Sequence, residues 1–127
     1  MPQATTLGIQ IDVESTFLPD QSVTENSNFA FAYKVTISNV GSVTRQLISR
    51  HWIITDGNGH VEEVKGPGVV GHQPILEPGG SFSYNSGARI KTPYGTMQGA
   101  YQMTDESAGL IDVTIPVFRL SALENLN

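Results

Sequence analysis

Residues 28–40 place Phe29, Phe31, Tyr33, Val35 and Ile37 at every second position, with Ala30, Ala32, Lys34, Thr36 and Ser38 between them. A helix would scatter these five large side chains around its circumference, whereas a strand stacks them all on one side. One strong strand of this kind cannot stand alone, and the chain must supply a second apolar layer to cover it. Other segments offer that layer. Over residues 7–18, Ile9, Ile11, Val13, Ser15 and Phe17 alternate with polar side chains. Residues 81–86 turn Phe82 and Tyr84 inward, and residues 96–104 set Met97, Gly99, Tyr101 and Met103 against Gln98, Ala100 and Gln102. Residues 110–120 put Ile111, Val113, Ile115 and Val117 on one side, and Pro116 marks an edge or a bulge. Turn chemistry separates the runs: Asn39-Val40-Gly41-Ser42, the hairpin signal Asp56-Gly57-Asn58-Gly59, Pro78-Gly79, Thr92-Pro93-Tyr94-Gly95 and the acidic stretch at 105–109. Residues 19–27 read as polar turn material, and residues 121–127 as a fraying tail. The expectation is an all-β chain folded as an antiparallel β-sandwich of immunoglobulin-like, fibronectin type III-like kind, with seven to eight strands in a single domain over residues 1–127.

Residues 45–56 read differently, because Leu47, Ser49, His51 and Ile53 occupy one face and Ile48, Arg50, Trp52 and Ile54 the other. Both faces are half apolar, which suits a central strand covered on one side and lying partly beside a cleft on the other. Trp52 is expected to anchor the core, with Arg50 on the same side near the rim and His51 pointing away.

Charge narrows the partners. The net charge of −5 lacks the basic stripe that nucleic acid or an anionic membrane requires, so neither is expected as a partner. The charge is uneven, however. Residues 34–91 hold six of the seven Lys and Arg against four acids, so an anion site, if present, belongs in the middle of the chain. No cysteine is present, which excludes disulfides, thiol catalysis and thiolate metal sites. No apolar run approaches the roughly 18 residues of a membrane span, and no leader pattern opens the chain, so a cytoplasmic location is expected.

Gly66-x-Gly68-x-x-Gly71 matches a dinucleotide fingerprint by letter. That fingerprint works at the start of a helix, and Val69-Val70-Gly71-His72-Gln73-Pro74 is β-branched and then stopped by proline. A loop of this composition has another use: successive backbone amides turned into one concavity accept phosphate oxygens without a helix. Lys65, Gly66, Gly68, Gly71, His72 and Arg50 are the candidate anion-binding residues on this reading. On the plainer one, the glycines permit a bulge and a tight crossing between sheets.

His51, His60 and His72 show no i, i+2 or i, i+4 spacing, so no metal site and no cofactor is assigned. There is no G-x-S-x-G elbow, and Glu62 and Glu63 would face opposite sides of a strand. No catalytic residue is therefore named, and the chain is expected not to be an enzyme.

The central block Ser49-Arg50-His51-Trp52-Ile53-Ile54-Thr55-Asp56-Gly57-Asn58-Gly59, followed by Glu63-Val64-Lys65-Gly66-Pro67-Gly68-Val69-Val70-Gly71-His72-Gln73-Pro74, resembles the ApaG family. So do Phe31-Ala32-Tyr33-Lys34-Val35-Thr36-Ile37-Ser38-Asn39, Leu76-Glu77-Pro78-Gly79, Thr92-Pro93-Tyr94-Gly95-Thr96-Met97-Gln98-Gly99-Ala100-Tyr101 and Ile115-Pro116-Val117-Phe118-Arg119-Leu120. The resemblance covers nearly the whole chain and implies a fibronectin type III-like sandwich. It also implies a link to cobalt resistance and magnesium efflux, without an established enzymatic activity, and a protein-interaction role like that of related domains in F-box and polymerase-interacting proteins. The expected function is a non-enzymatic module binding a protein partner, with a phosphate or pyrophosphate group as co-ligand at the glycine loop. The alternative is a nucleotide or pyrophosphate sensor, or a weak phosphohydrolase, in divalent-metal homeostasis. Pairing of a sandwich edge, above all the strand at residues 7–18, would make a homodimer.

Overall fold

The computed structural model describes residues 2–23, 26–107 and 109–122. The chain runs through β1 (Gln3–Thr6), β2 (Ile9–Phe17), a single 3-10 turn (Pro19–Gln21), β3 (Phe29–Asn39), β4 (Arg45–Asp56), β5 (Val61–Pro67), β6 (Ile75–Leu76), β7 (Ser81–Ile90), β8 (Tyr94–Thr104) and β9 (Leu110–Ser121). One sheet has the order β1-β2-β3-β7, and the other β5-β4-β8-β9, with β6 pairing β4; all pairings are antiparallel. The expected sandwich is what forms. Its additional strands are β1, which carries no apolar alternation for sequence reasoning to find, and the two-residue β6.

Phe31, Tyr33, Val35 and Ile37 of β3 are buried as the alternation requires, facing Trp52, Met97, Tyr101 and Met103 of the opposite sheet. Trp52 sits at the centre, 5.4 Å from Tyr33 and edge-on to Tyr101 at 6.2 Å and Phe118 at 5.9 Å, ring geometries favoured by the aromatic quadrupole.

Three local departures have simple causes. The mixed faces of β4 come from a register shift between Leu47 and Ser49: Leu47 is buried before it and Trp52 after it, so the buried positions change parity within the strand. A second shift, where Met97 pairs Phe118 but Gly99 pairs Ile115, lies at Pro116 and moves Phe118 and Leu120 inward. Val117, expected on the buried side, is therefore exposed. Leu7 and Gly8 both have positive φ and form the tight β1–β2 turn, so the strand expected from residue 7 starts at Ile9. It is also no sheet edge, since β1 and β3 flank it. Residues 24 and 25 of the polar turn, and 123–127 of the expected fraying tail, lie outside the described residues; Ser121 still belongs to β9. No helix among the described residues is long and apolar enough to cross a membrane.

The two sides of the sandwich differ. Along one, β9 meets β1 and β2: the Thr114 amide donates to Thr6 Oγ1 at 3.2 Å, and Ser15 Oγ donates to the Arg119 carbonyl at 2.8 Å. Along the other, β5 and β7 are the free edges of their sheets and do not pair with each other.

Candidate functional site

The glycine loop is a second, very tight hairpin. β5 continues through Gly66 to Pro67, and Gly68 then donates its amide to the Ile48 carbonyl at 2.8 Å. Val69 and His72 exchange backbone hydrogen bonds at 2.8 and 2.9 Å, with Val70 (φ 43°) and Gly71 (φ 82°) at the tip. Both tip residues are left-handed, which matches a two-residue hairpin turn and not the alternating handedness that turns neighbouring amides into one anion nest. Val70 thus sits at the turn, while Val69 is buried in the core. Gly68 is fixed by space as well as by φ: a Cβ there would lie 2.4 Å from the His72 carbonyl oxygen.

The candidate anion-binding residues do not converge on one point. Arg50 is turned to carbonyls, its Nη1 donating to Pro67 at 2.9 Å and Gly68 at 3.0 Å. Gly66 lies opposite Arg50 in the register, and its missing side chain leaves room for the guanidinium, whose atoms would stand 3.0–3.2 Å from a Cβ there. Lys65 pairs with His51, one position further along, and strand alternation sends it to the outer face of the sheet. The His72 ring packs against Phe82 at the start of β7, with centroids 5.6 Å apart. Among the described residues the amides of Val70 and Gly71 form no hydrogen bond, and they are what the loop offers an anion.

The three histidines are separated as well. His51 meets Glu63 at 2.7 Å on the outer face, His60 is exposed beyond the Asp56 turn, and His72 lies on Phe82. No group of three or more His, Cys, Asp or Glu able to hold a metal occurs among the described residues. Glu62 and Glu63 face opposite sides of β5, as alternation predicts: Glu63 reaches His51, while Glu62 lines the space between the sheets.

That space forms a concavity. Between the free edges of β5 and β7 a cleft of about 690 Å³ opens, and Tyr33, Arg50, Trp52, Glu62, Ser86 and Arg89 contribute to its lining. Its size falls in the range of roughly 300–1,000 Å³ usual for ligand sites. Trp52, Ile54, Val64 and Ala88 supply apolar wall, and Arg50 and Arg89 supply positive charge. Arg89 Nη1 donates to the Gln21 carbonyl at 2.9 Å and to Asn28 Oδ1 at 3.1 Å. Beneath the cleft, burial pushes the Tyr33 hydroxyl pKa up, partly offset by a hydrogen bond from Ser86 and by the Arg50 charge. Deeper still, the Tyr84 and Tyr101 hydroxyls are hydrogen-bonded to each other at 2.5 Å, and burial raises both pKa values.

Sequence reasoning placed Arg50 and Trp52 on one side of β4, which the cleft confirms, but did not single out Arg89, Tyr33 or Ser86. The one signal available was the excess of cations over residues 34–91, which includes Arg89.

The comparisons agree with this architecture. The family profile described as ApaG domain matches residues 19–105. Proteins named ApaG from Acidithiobacillus ferrooxidans and Pseudomonas entomophila are each 54% identical to the chain, over 114 residues (90% of both chains) and 113 residues (89% of this chain, 90% of the relative) respectively. A crystal structure of a Bordetella pertussis protein under the name ApaA is 44% identical, with a TM-score of 0.85 over 94% of both chains. With half its residues shared with these relatives across nearly its full length, and with the same sandwich, this chain belongs to the ApaG family.

Proposed function

We propose that the chain is a recognition module without chemistry of its own, and that it receives a protein partner at the cleft between β5 and β7. The observation that carries this reading is the cleft itself: an apolar wall around Trp52 with two arginines at its margins, flanked by two unpaired sheet edges. Apolar surface with few, placed charges is what a recognition site needs. Two carboxylates can work as an acid–base pair only if they converge on one substrate position. Here the neighbouring acids Glu62 and Glu63 point apart, and Glu63 is engaged by His51. The test is affinity capture from lysate with the unaltered protein and an Arg89→Glu variant, alongside turnover assays of nucleoside triphosphates and pyrophosphate with Mg²⁺ or Co²⁺. A partner retained by the first protein and lost from the second supports the reading. Metal-dependent turnover that survives further purification would replace it with the phosphohydrolase reading and its role in divalent-metal homeostasis.

A phosphate-bearing co-ligand at the glycine loop is the second reading, favoured by the exposed Val70 and Gly71 amides at the hairpin tip. Calorimetry with pyrophosphate on the unaltered protein, with amide shifts to locate any binding, separates it from the bland use of the glycines. Negligible heat, or shifts away from residues 69–72, removes it.

A further inference from the structure

The two free edges beside the cleft are not alike. β5 carries Glu62, Glu63 and Lys65 and ends at Pro67, the charges and proline by which an exposed edge resists pairing with another strand. β7 reads Ser-Phe-Ser-Tyr-Asn-Ser-Gly-Ala from residue 81 to residue 88, without a charge or a proline, and no strand, helix or loop pairs with its outer side among the described residues. Such an edge is a template for one more strand.

The charges at the same place have a sign. Arg89 closes this uncharged run, and Arg50 lies in the same cleft. Both guanidiniums donate only to neutral oxygens, and among the described residues neither has a carboxylate within ion-pair distance, the pairs present being Arg45–Glu106 and His51–Glu63. A guanidinium has five N–H donors, so each arginine retains donors for an incoming acid. Glu62, on the β5 wall, disfavours acid on its own side.

We propose that β7 accepts an extended acidic segment of a partner protein as an additional strand, with acidic side chains on its cleft-facing side reaching Arg89 and Arg50. This rests on the recognition reading above and specifies its partner. Main-chain hydrogen bonds along β7 supply affinity that any extended segment would share, and the alternate side chains entering the cleft supply selectivity. An apolar residue two positions from the acid faces the wall of Trp52, Ile54 and Val64, while Glu62 selects against acid beyond it.

The probes are four end-capped peptides: a sequence that sets one glutamate and one valine two positions apart with threonine at the positions between, its glutamine and lysine counterparts, and the glutamate peptide N-methylated on alternate residues. Trp52, the only tryptophan and part of the cleft wall, reports occupancy by fluorescence, and amide shifts locate it. The glutamate peptide saturates and moves amides of residues 81–90; Arg89→Ala weakens it about tenfold, the size of a lost charge-assisted hydrogen bond, and Glu62→Gln tightens it. N-methylation abolishes binding. Equal binding of the glutamine or lysine peptide, shifts confined to residues 66–72 or to the outer face, or no saturation at millimolar peptide overturns the proposal. So does a concentration-dependent dimer in which a second copy occupies β7. Capture of a partner that is sensitive to Arg89→Glu, combined with failure of the peptides, would sink strand addition while leaving the recognition reading in place; failure of both removes both.

Discussion

Arg50 donates from Nη1 to the carbonyl of Gly68 at 3.0 Å, and that same glycine leaves no room for a side chain, since a Cβ there would lie 2.4 Å from the His72 carbonyl oxygen. The side chain from β4 thus fixes the entry of the glycine hairpin, with the Pro67 carbonyl as its second acceptor at 2.9 Å. Arg50→Ala leaves both carbonyls without this donor. The expected cost is about 1–3 kcal/mol in urea unfolding, with faster hydrogen exchange at Gly68, Val69 and His72 than elsewhere. Exchange unchanged at these three amides would contradict the assignment.

The glycines of the loop are not equivalent. Gly68→Ala forces a Cβ to 2.4 Å from the His72 carbonyl oxygen at a positive φ, and a loss of about 2 kcal/mol or more is expected. Gly71→Asn also sits at positive φ but meets nothing within 4 Å, and asparagine tolerates that region, so the expected loss is under about 1 kcal/mol. Paired thermal melts decide it, and equal destabilisation would show that φ alone controls the loop.

Tyr84 and Tyr101 satisfy one another in the core. Tyr101→Phe strands the Tyr84 hydroxyl, at an expected cost of about 1–3 kcal/mol, whereas removing both hydroxyls by Tyr84→Phe with Tyr101→Phe recovers most of it. Additive losses in this double-mutant cycle would deny the coupling.

The same tyrosines set an alkaline limit. Burial raises the folded pKa values of Tyr33, Tyr84 and Tyr101 above the ordinary value of 10.0. Their contribution is fully present below that value and is lost as the pH rises towards the raised folded values, because the unfolded state then releases protons that the folded state retains. Urea midpoints at pH 9, 10 and 11 should fall above pH 10, and fall less in the double phenylalanine variant. A midpoint independent of pH over this window would contradict the burial assignment.

Legibility followed physical range. The faces of β3 and the early part of β2 were readable because alternation is local, and the Asp56–Gly59 turn because its chemistry is. Parity across β4 and β9 was not, since the shifts at Leu47/Ser49 and at Pro116 arise from pairing with β8, a partner distant in sequence. β1 escaped because Gln-Ala-Thr-Thr shows no apolar face; its pairing to β2 depends on the Leu7-Gly8 turn. The glycine motif was expected as a bulge and a tight crossing between sheets, whereas it is a hairpin between β5 and β6, which both pair with β4, and only the structure shows Arg50 facing carbonyls. The cleft was least legible of all: no property of Arg89 or Ser86 indicates that β7 ends its sheet on the open side.

The most direct measurement of recognition at the cleft is photo-crosslinking in cells, with p-benzoylphenylalanine replacing Ala88, which lines the cleft on β7, and, as control, exposed Gln98 on the outer face of the other sheet. The cleft account predicts a discrete crosslinked product from position 88, lost with Arg89→Glu, and none from position 98. Products from position 98 alone, or from both positions without regard to Arg89, would contradict it.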